Sequence, residues 1–490
     1  MLVLYGFFLL FIFCYSLIQL SLVVKYKRSL GRTDVQALTM EEAYGSEENY
    51  PTVTIQLPVF NELYVVERLI DSVVSIRYPQ DKLEIQLLDD STDESFDIAA
   101  KSVAHWHNQG VNIVHVRRPQ RTGFKAGALS YGLKRSLGEY TAIFDADFLP
   151  DPDFLEKTIP HFKDDNIGVV QTRWEHLNED YSLLTRLQAF GLDAHFTVEQ
   201  RGRNSANHFI NFNGTAGVWR KTCIEDAGGW QSDTLTEDLD LSYRAQLKGW
   251  KFKYLERVGS PAELPAAMNA LKNQQYRWTK GAAECTVKNL PRVLKASGLG
   301  FGTKLQALFH LMNSFIFICI ISTAILSVPM LWIKDQNPQF DILFKLASIF
   351  LLSFVILSYF YWTSSRHGPV SNQKSFGEFL MLFPMFLSVS MGLSLHNAIA
   401  VIEGYVGRKT PFVRTPKFDI QKADDSFSSN KYRITKIHPL TFIEGLLTLY
   451  FLFGMGLAFY LKDFGLVPFH LMLFFGFGIV SFYSIRHARM

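Results

Sequence analysis

Three acidic clusters and one aromatic-basic cluster are the parts of this chain whose residue types and spacing could do chemistry. Asp145-Ala146-Asp147 directly follows the apolar run 141–144. Two carboxylates one residue apart at a strand end can hold one hard divalent cation, Mg2+ or Mn2+, whose remaining ligands are phosphate oxygens and water. Such a cation neutralises a diphosphate as it leaves. Asp89-Asp90-Ser91-Thr92-Asp93 stands at an earlier strand end. Ser91, Thr92 or Asp93 can cap the helix that follows. Two adjacent acids are more than a cap needs, and a carboxylate there can accept hydrogen bonds from a base or a ribose. Thr236-Glu237-Asp238 opens the segment 239–247, which reads as a helix. Acids are favoured at a helix N-terminus by the dipole. A carboxylate there is also a candidate general base, taking the proton of an attacking hydroxyl.

Gln274-Gln275-Tyr276-Arg277-Trp278 supplies the opposite chemistry. A Trp face stacks on a sugar ring and an Arg neutralises phosphate. The same residues would also suit an amphipathic helix lying at a membrane interface. Lys125 sits in the Gly-flanked stretch Gly123-Phe124-Lys125-Ala126-Gly127 and is a candidate phosphate or base contact. Asn213-Gly214-Thr215-Ala216-Gly217 offers small residues where a ligand can approach the backbone closely.

These clusters need elements to hold them. Residues 53–57, 85–88, 113–116 and 141–144 read as strands, and 64–75 and 95–108 as helices between them. The strand-then-helix rhythm predicts an α/β domain with a mainly parallel sheet covered on both faces. Ligands of such sheets sit at the carboxyl ends of the strands. Those ends carry residues 58–62, with Glu62, then 89–93 and 145–147.

On either side of this domain the chain is apolar. Residues 2–24 carry no charge, are long enough to span a bilayer and lack the layout of a signal peptide. Lys25, Lys27, Arg28 and Arg32 follow at once, which puts the next segment in the cytosol. Further candidate spans are 305–333, 342–362, 379–401, 442–461 and 467–485. If all of them crossed, the loop 404–439 would lie outside. Yet it carries Arg408, Lys409, Arg414, Lys417, Lys422, Lys431, Arg433 and Lys436, a bias that belongs inside. The expectation is therefore that 379–401, with His396 and Asn397, does not fully cross and lies in part along the interface. The organisation that follows is an N-terminal transmembrane helix over 1–28, a cytosolic domain over 50–300, and transmembrane or interfacial helices over 301–490 enclosing the loop 404–439.

Composition narrows the class. Of 490 residues, 42 are Phe, and the net charge is only +3. No basic stripe interleaves with aromatics, so nucleic acid is not expected as a partner. The four cysteines, Cys14, Cys223, Cys285 and Cys319, form no C-x-x-C pair and read as reduced thiols.

Taken in order, Asp89/Asp90, Asp145-Ala146-Asp147, Thr236-Glu237-Asp238 and Gln274 to Trp278 resemble the processive, membrane-embedded members of the family-2 inverting glycosyltransferases. The resemblance spans about residues 51–417. Its wording is most similar to plant-type cellulose-synthase-like A and C proteins, the glucomannan and glucan synthases, through 87–93 (LLDDSTD), 142–148 (AIFDADF), 195–200 (HFTVEQ), 212–217 (FNGTAG) and 247–252 (LKGWKF). It implies a GT-A-type nucleotide-sugar-binding domain inserted between transmembrane helices. It implies an inverting hexosyltransferase that moves a hexose from UDP-glucose or GDP-mannose to the growing end of a β-linked polysaccharide, a β-1,4-glucan or mannan, coupled to export. Glu62, Asp89, Asp90, Lys125, Asp145, Asp147 and Arg277 would bind the donor, with Mg2+ or Mn2+ on Asp145 and Asp147. Asp238, with Glu237 beside it, would be the base. Gln274, Trp278, Asn213, Gly214 and Thr215 would face the acceptor. Phe412, Thr415 and Lys417 are similar to the gating loop of cellulose synthases, from which the chain departs at Arg414, where that family usually has Val.

The implied partners are a nucleotide sugar, a glycan acceptor, the lipid bilayer and accessory export subunits. The implied setting is a multi-pass protein of the bacterial inner (plasma) membrane, or of the Golgi membrane in a eukaryote. Two alternatives stand beside this reading: a non-processive glycosyltransferase that makes a glycolipid, separated by product length, and a transporter or receptor with a degenerate sugar-binding domain, separated by absence of transfer.

Overall fold

Inner strands of a parallel sheet are buried on both faces and read as nearly continuous apolar runs. Val53–Val59 (β1) is such a run and lies between Leu83–Asp89 (β2) and Tyr140–Ile143 (β4), parallel to both, with Ile113–Val116 (β3) beyond β2. Polar residues within β1 and β2 pair across the two strands. Thr54 Oγ1 donates to Glu84 at 2.7 Å and Gln56 Nε2 to Gln86 at 3.1 Å. Gly132 lets the helix Phe124–Leu133 lie on this pair, since a Cβ there would come 2.6 Å from the Gln56 amide nitrogen.

The structure is a computed structural model that describes residues 1–31, 38–368, 373–420, 425, 427 and 430–490. Arg32 and Lys422, which contribute to the basic flanks in the sequence, lie outside the described residues. Among the described residues the sheet has seven strands in the order β3-β2-β1-β4-β6-β5-β7. Ile167–His176 (β5), Gly217–Arg220 (β6) and Lys251–Ala262 (β7) extend it beyond the four expected strands. β6 is antiparallel to both of its neighbours, and β7 is parallel to β5. The sheet is thus mostly parallel, with one reversed strand that brings the turn before it, with Asn213 and Gly214, to the edge where β1, β2 and β4 end. Helices Val66–Val74 and Ser95–Asn108 pack on one face through Leu69, Ile70 and Val103. Phe124–Leu133 and Glu237–Leu247 cover the other through Leu129, Leu241 and Ala245.

Two contacts bring the helix Met268–Lys295 against this second layer. A Cβ on Gly281 would meet the backbone nitrogen of Thr236 at 2.8 Å, so only glycine allows that approach. Asp240, wholly buried, accepts from Arg244 Nε at 2.9 Å, Asn289 Nδ2 at 2.9 Å and Lys288 Nζ at 3.0 Å, a pairing that a buried carboxylate requires. The outcome is that Arg277 and Trp278 stand next to Glu237 and Asp238.

Among the described residues five helices, Leu2–Leu30, Phe301–Gln336, Pro338–His367, Leu440–Leu461 and Val467–Arg489, are long and apolar enough to cross a membrane. The stretch 379–401 is not one helix. Phe376–Gly392 and Ser394–Tyr405 meet at a 50° bend. At the bend the backbones nearly touch a neighbouring helix. A Cβ on Gly392 would come 2.2 Å from the carbonyl oxygen of Gly476, and one on Gly476 would come 1.9 Å from that of Ser388. His396 and Asn397 stand in the second of the two bent helices, Ser394–Tyr405. Both are buried, and His396 Nε2 contacts the Lys272 carbonyl at 3.1 Å. A polar group among apolar helices is stabilised by turning toward other protein polar groups.

Candidate active site

A cavity of about 210 Å3 opens at the carboxyl ends of the strands. Glu62 follows β1, Asp90 follows β2, and Asp145 and Asp147 follow β4, so three strand ends deliver four carboxylates to one wall. Lys125, Asn213, Gly214, Glu237, Asp238, Gln274, Arg277 and Trp278 line the same cavity, together with Phe412, Thr415 and Lys417 of the loop.

Two expected site residues do not reach it. Asp89 is the last residue of β2, and its carboxylate is fully buried beneath the strand end. There it accepts from the Ser91 backbone N–H at 2.7 Å and pairs with His115 Nε2 at 2.9 Å. Successive strand residues face opposite sides, so Asp90 turns to the cavity and Asp89 cannot. Asp90 is held by Arg118 in a two-pronged ion pair, Nε at 2.7 Å and Nη2 at 2.6 Å. Thr215 is also buried. Its hydroxyl accepts the Asp145 N–H at 2.9 Å, so it orients Asp145 rather than facing an acceptor.

The Asp145 and Asp147 carboxylates have each drawn a cation from the chain. Lys125 Nζ lies 2.5 Å from Asp145 and donates to the Gly214 carbonyl at 2.9 Å; Lys417 Nζ lies 2.5 Å from Asp147. Among the described residues no group of three or more His, Cys, Asp or Glu side chains forms a ready cage. Two strand-end carboxylates that attract cations, with no third protein ligand, fit a hard divalent cation that takes its other ligands from phosphate and water.

Asp238 is the second residue of the helix Glu237–Leu247, and one of its oxygens accepts the Leu239 N–H at 2.8 Å. Gly214, at φ +82°, brings its loop against the other oxygen, which a Cβ would approach to 3.0 Å. Burial, and then the charge of Glu237, push the Asp238 carboxyl up to about 7. Burial also raises Glu237 against the pull of Lys125. Glu62 is raised by burial to about 7 although Arg414 and Lys417 face it.

The loop closes over this floor. Arg277 Nη2 donates to Thr415 Oγ1 at 2.7 Å, and the Arg277 guanidinium lies 4.9 Å from the Phe412 ring centre. Phe412 stacks on Phe124 at 5.3 Å. Arg414, the departure from the family wording, forms an ion pair with Glu62 at 2.6 Å and covers the Tyr432 ring. Glu263 anchors the far end by accepting the backbone N–H groups of Phe418 and Asp419, each at 2.9 Å.

Several of these residues escaped sequence reasoning. The run Arg117, Arg118, Arg121 after β3 was a visible cationic signal. Arg118 holds Asp90, and Arg121 lies 3.3 Å over the Phe60 ring, forming a flat cationic wall at the Asp90 end. Glu263 is a single acid after β7 with no pattern to mark it. At the opposite end Trp278 approaches Trp174, with ring centres 6.4 Å apart. Gln274 and Trp278 also line a second cavity of about 220 Å3, which runs on among apolar helices to Gln188, Phe386 and Asn397.

The chain is similar to known proteins. Residues 51–281 match the family described as "Glycosyltransferase like family 2". A glucomannan 4-beta-mannosyltransferase of Oryza sativa subsp. japonica is 36% identical over 444 residues, 87% of this chain and 80% of that protein. Another from Arabidopsis thaliana is 34% identical over 462 residues, 86% of this chain and 82% of that protein. A mannosyltransferase of Pyrobaculum calidifontis, solved in complex with GDP-Man and Mn2+, superposes with a TM-score of 0.55 at 17% identity, covering 83% of this chain and all of that one. That likeness shows a GT-A-like fold. With strand-end acids, a mostly parallel sheet and relatives of this identity over most of its length, the chain belongs to glycosyltransferase family 2, is a glycosyltransferase, and has glucomannan 4-beta-mannosyltransferases among its relatives.

Proposed function

We propose that this protein is a membrane-embedded, inverting mannosyltransferase that uses GDP-mannose to extend a β-1,4-linked glycan and passes the product into the membrane part. The observation that carries this reading is the order of groups along one cavity. An aromatic and cationic wall stands at Asp90, then come the Asp145 and Asp147 carboxylates with Lys125, Arg277 and Lys417, then Asp238, then Gln274 and Trp278 at the door of the second cavity. The choice of mannose and of GDP rests on the relatives' names and on the ligand of the Pyrobaculum enzyme.

Asp90 and the Arg121 side chain receive the nucleoside. Lys125, Arg277 and Lys417 surround the diphosphate and draw off the charge that grows on it as the bond to the sugar breaks. A divalent cation, Mg2+ or Mn2+, held by Asp145 and Asp147 supplies further neutralisation of the leaving group when bound. Asp238 takes the proton of the acceptor hydroxyl as that oxygen attacks the anomeric carbon from the face opposite the diphosphate, which inverts the centre. A carboxyl held near 7 is matched to that task at neutral pH. Trp278 stacks on the acceptor sugar, and Asn213 and Gly214 let it approach Asp238.

The loop contact bears on topology. Lys417 reaches Asp147, a contact that supports a loop on the same side of the membrane as the catalytic domain. That supports a bent pair, Phe376 to Tyr405, that enters and returns without crossing, with five crossings and a cytosolic domain. It also supports the second cavity as the start of an export route, where accessory subunits would join.

The test is purified protein in proteoliposomes supplied with Mn2+ and either GDP-mannose or UDP-glucose, with sugar incorporation and nucleoside diphosphate release measured together. Incorporation from GDP-mannose in step with GDP release is expected. Absence of both with every nucleotide sugar would refute the assignment.

A further inference from the structure

The helix Leu183–Ala194 passes directly into a π-helical turn, His195–Gln200. Such turns are rare, hold one residue more than an α-turn, and gather where a side chain must be aimed. This one stacks His195 and Glu199 in contact, His195 Nδ1 lying 2.9 Å from Glu199 Oε2. The other ring nitrogen, Nε2, lies 3.2 Å from Asn213 Oδ1. Asn211 Nδ2 donates to that same oxygen at 2.8 Å. The Asn213 oxygen is therefore fully engaged, while its Nδ2 is buried with no partner and the residue lines the catalytic cavity beside Gly214 and Asp238. A buried N–H2 group without an acceptor is costly unless a ligand supplies one.

Behind His195 the chain of contacts leaves the domain. Gln19, on the first apolar helix, donates from Nε2 to Glu199 Oε1 at 2.6 Å, and Arg203 lies 3.5 Å from Glu199 Oε2. Burial favours a neutral Glu199, but Arg203, His195 and Gln19 together hold it well below the usual carboxylate range. An ionised Glu199 only accepts, and so does the Asn213 oxygen, so in this arrangement both ring nitrogens of His195 carry hydrogen and donate.

We infer that His195 is a positioning residue for the acceptor. Braced by Glu199 and, through it, by Gln19, it fixes the Asn213 carboxamide so that the Nδ2 hydrogens face the cavity as donors to an oxygen of the acceptor sugar, within reach of the Asp238 base. The inference rests on the proposed transfer to a glycan. It adds a specificity element that joins the first apolar helix to the acceptor wall.

The test uses the full chain in nanodiscs, with β-1,4-mannohexaose as acceptor and GDP-mannose as donor, each varied at saturation of the other. H195A and N213A should each raise the acceptor KM about tenfold, the worth of one hydrogen bond to a neutral partner. The donor KM should stay within about twofold. The double variant should be no worse than either single one, because both remove the same contact. E199Q keeps the shape of the turn and should raise the acceptor KM in the same direction; it also serves if H195A fails to fold. Wild-type transfer with an unmoved acceptor KM in H195A or E199Q overturns the positioning role alone. So does a double variant that multiplies to about a hundredfold, or a donor KM that moves as far as the acceptor KM. Absence of transfer by the wild type overturns the proposed function, and this inference with it.

Discussion

Replacing Asp238 by Asn separates catalysis from stability in a way that follows from its surroundings. The new side chain has the same shape, and its oxygen keeps the bond from the Leu239 N–H at 2.8 Å. Lys125, Arg277 and Lys417 are untouched, so donor affinity should change by less than about threefold. Turnover should fall about 10²- to 10⁴-fold, the usual worth of a general base, or about 3–5 kcal/mol of barrier. The fold should gain. A buried carboxyl raised from 3.8 to about 7 penalises the folded state whenever it is ionised. The penalty is absent below the unfolded value, grows as pH rises between the two, and is complete above about 7. Its full size is on the order of 4 kcal/mol, part of which is the mutual repulsion with Glu237. D238N should thus melt higher than wild type at pH 8.5 and at nearly the same temperature at pH 4. The assays are GDP release, labelled GDP-mannose binding and thermal unfolding in detergent at the two pH values. Turnover near the wild-type rate would show that another group takes the proton. A stability gain equal at both pH values would refute the link between burial, charge and the raised carboxyl.

Three further outcomes follow. K417M removes a charged contact to Asp147 and to the diphosphate, and should raise the donor KM about 10- to 100-fold, while EDTA should abolish transfer until Mn2+ or Mg2+ is restored; an unchanged KM would show that the loop does not touch the donor. The kcat/KM of the wild type should rise with pH through about 7 and then level, since Asp238 must be unprotonated to accept a proton; a fall over that range would mean its proton is needed instead. G476A should destabilise the protein by about 1–3 kcal/mol or more, because the added Cβ would stand 1.9 Å from the Ser388 carbonyl oxygen, whereas G456A, with nothing within 4 Å, should leave the melting temperature in place.

The parallel half of the sheet was legible because β1, β2 and β4 are buried and appear as nearly continuous apolar runs with acids after them. That pattern located β1 to β4 to within a few residues, and it placed Glu62, Asp90, Asp145 and Asp147 on one wall. The antiparallel strand β6 has only four residues, Gly217–Arg220, and exists because β4 and β5 flank it. Long-range pairing of that kind leaves no local periodicity. Within the site, chemistry was legible but facing was not. Asp89 and Asp90 are equal as text, and the end of β2 decides which one turns inward. Thr215 likewise points beneath the loop whose neighbours line the cavity. Arg118, Glu263 and the His195 contacts depend on residues far apart in the chain. The stretch 379–401 has the composition of a span; its bend falls at Gly392, where the backbone closely approaches that of Gly476, a partner far away in the chain.

The order of groups from Asp90 to Trp278, continued into the membrane part, predicts both the bond made and the length of the product. The most direct measurement is product analysis after incubation of the purified protein with labelled GDP-mannose and Mn2+, by size separation before and after digestion with an endo-β-1,4-mannanase. The account predicts long chains that the enzyme cuts to short oligosaccharides. A product carrying one mannose, a lipid-linked product, or chains with α-linkages would contradict it.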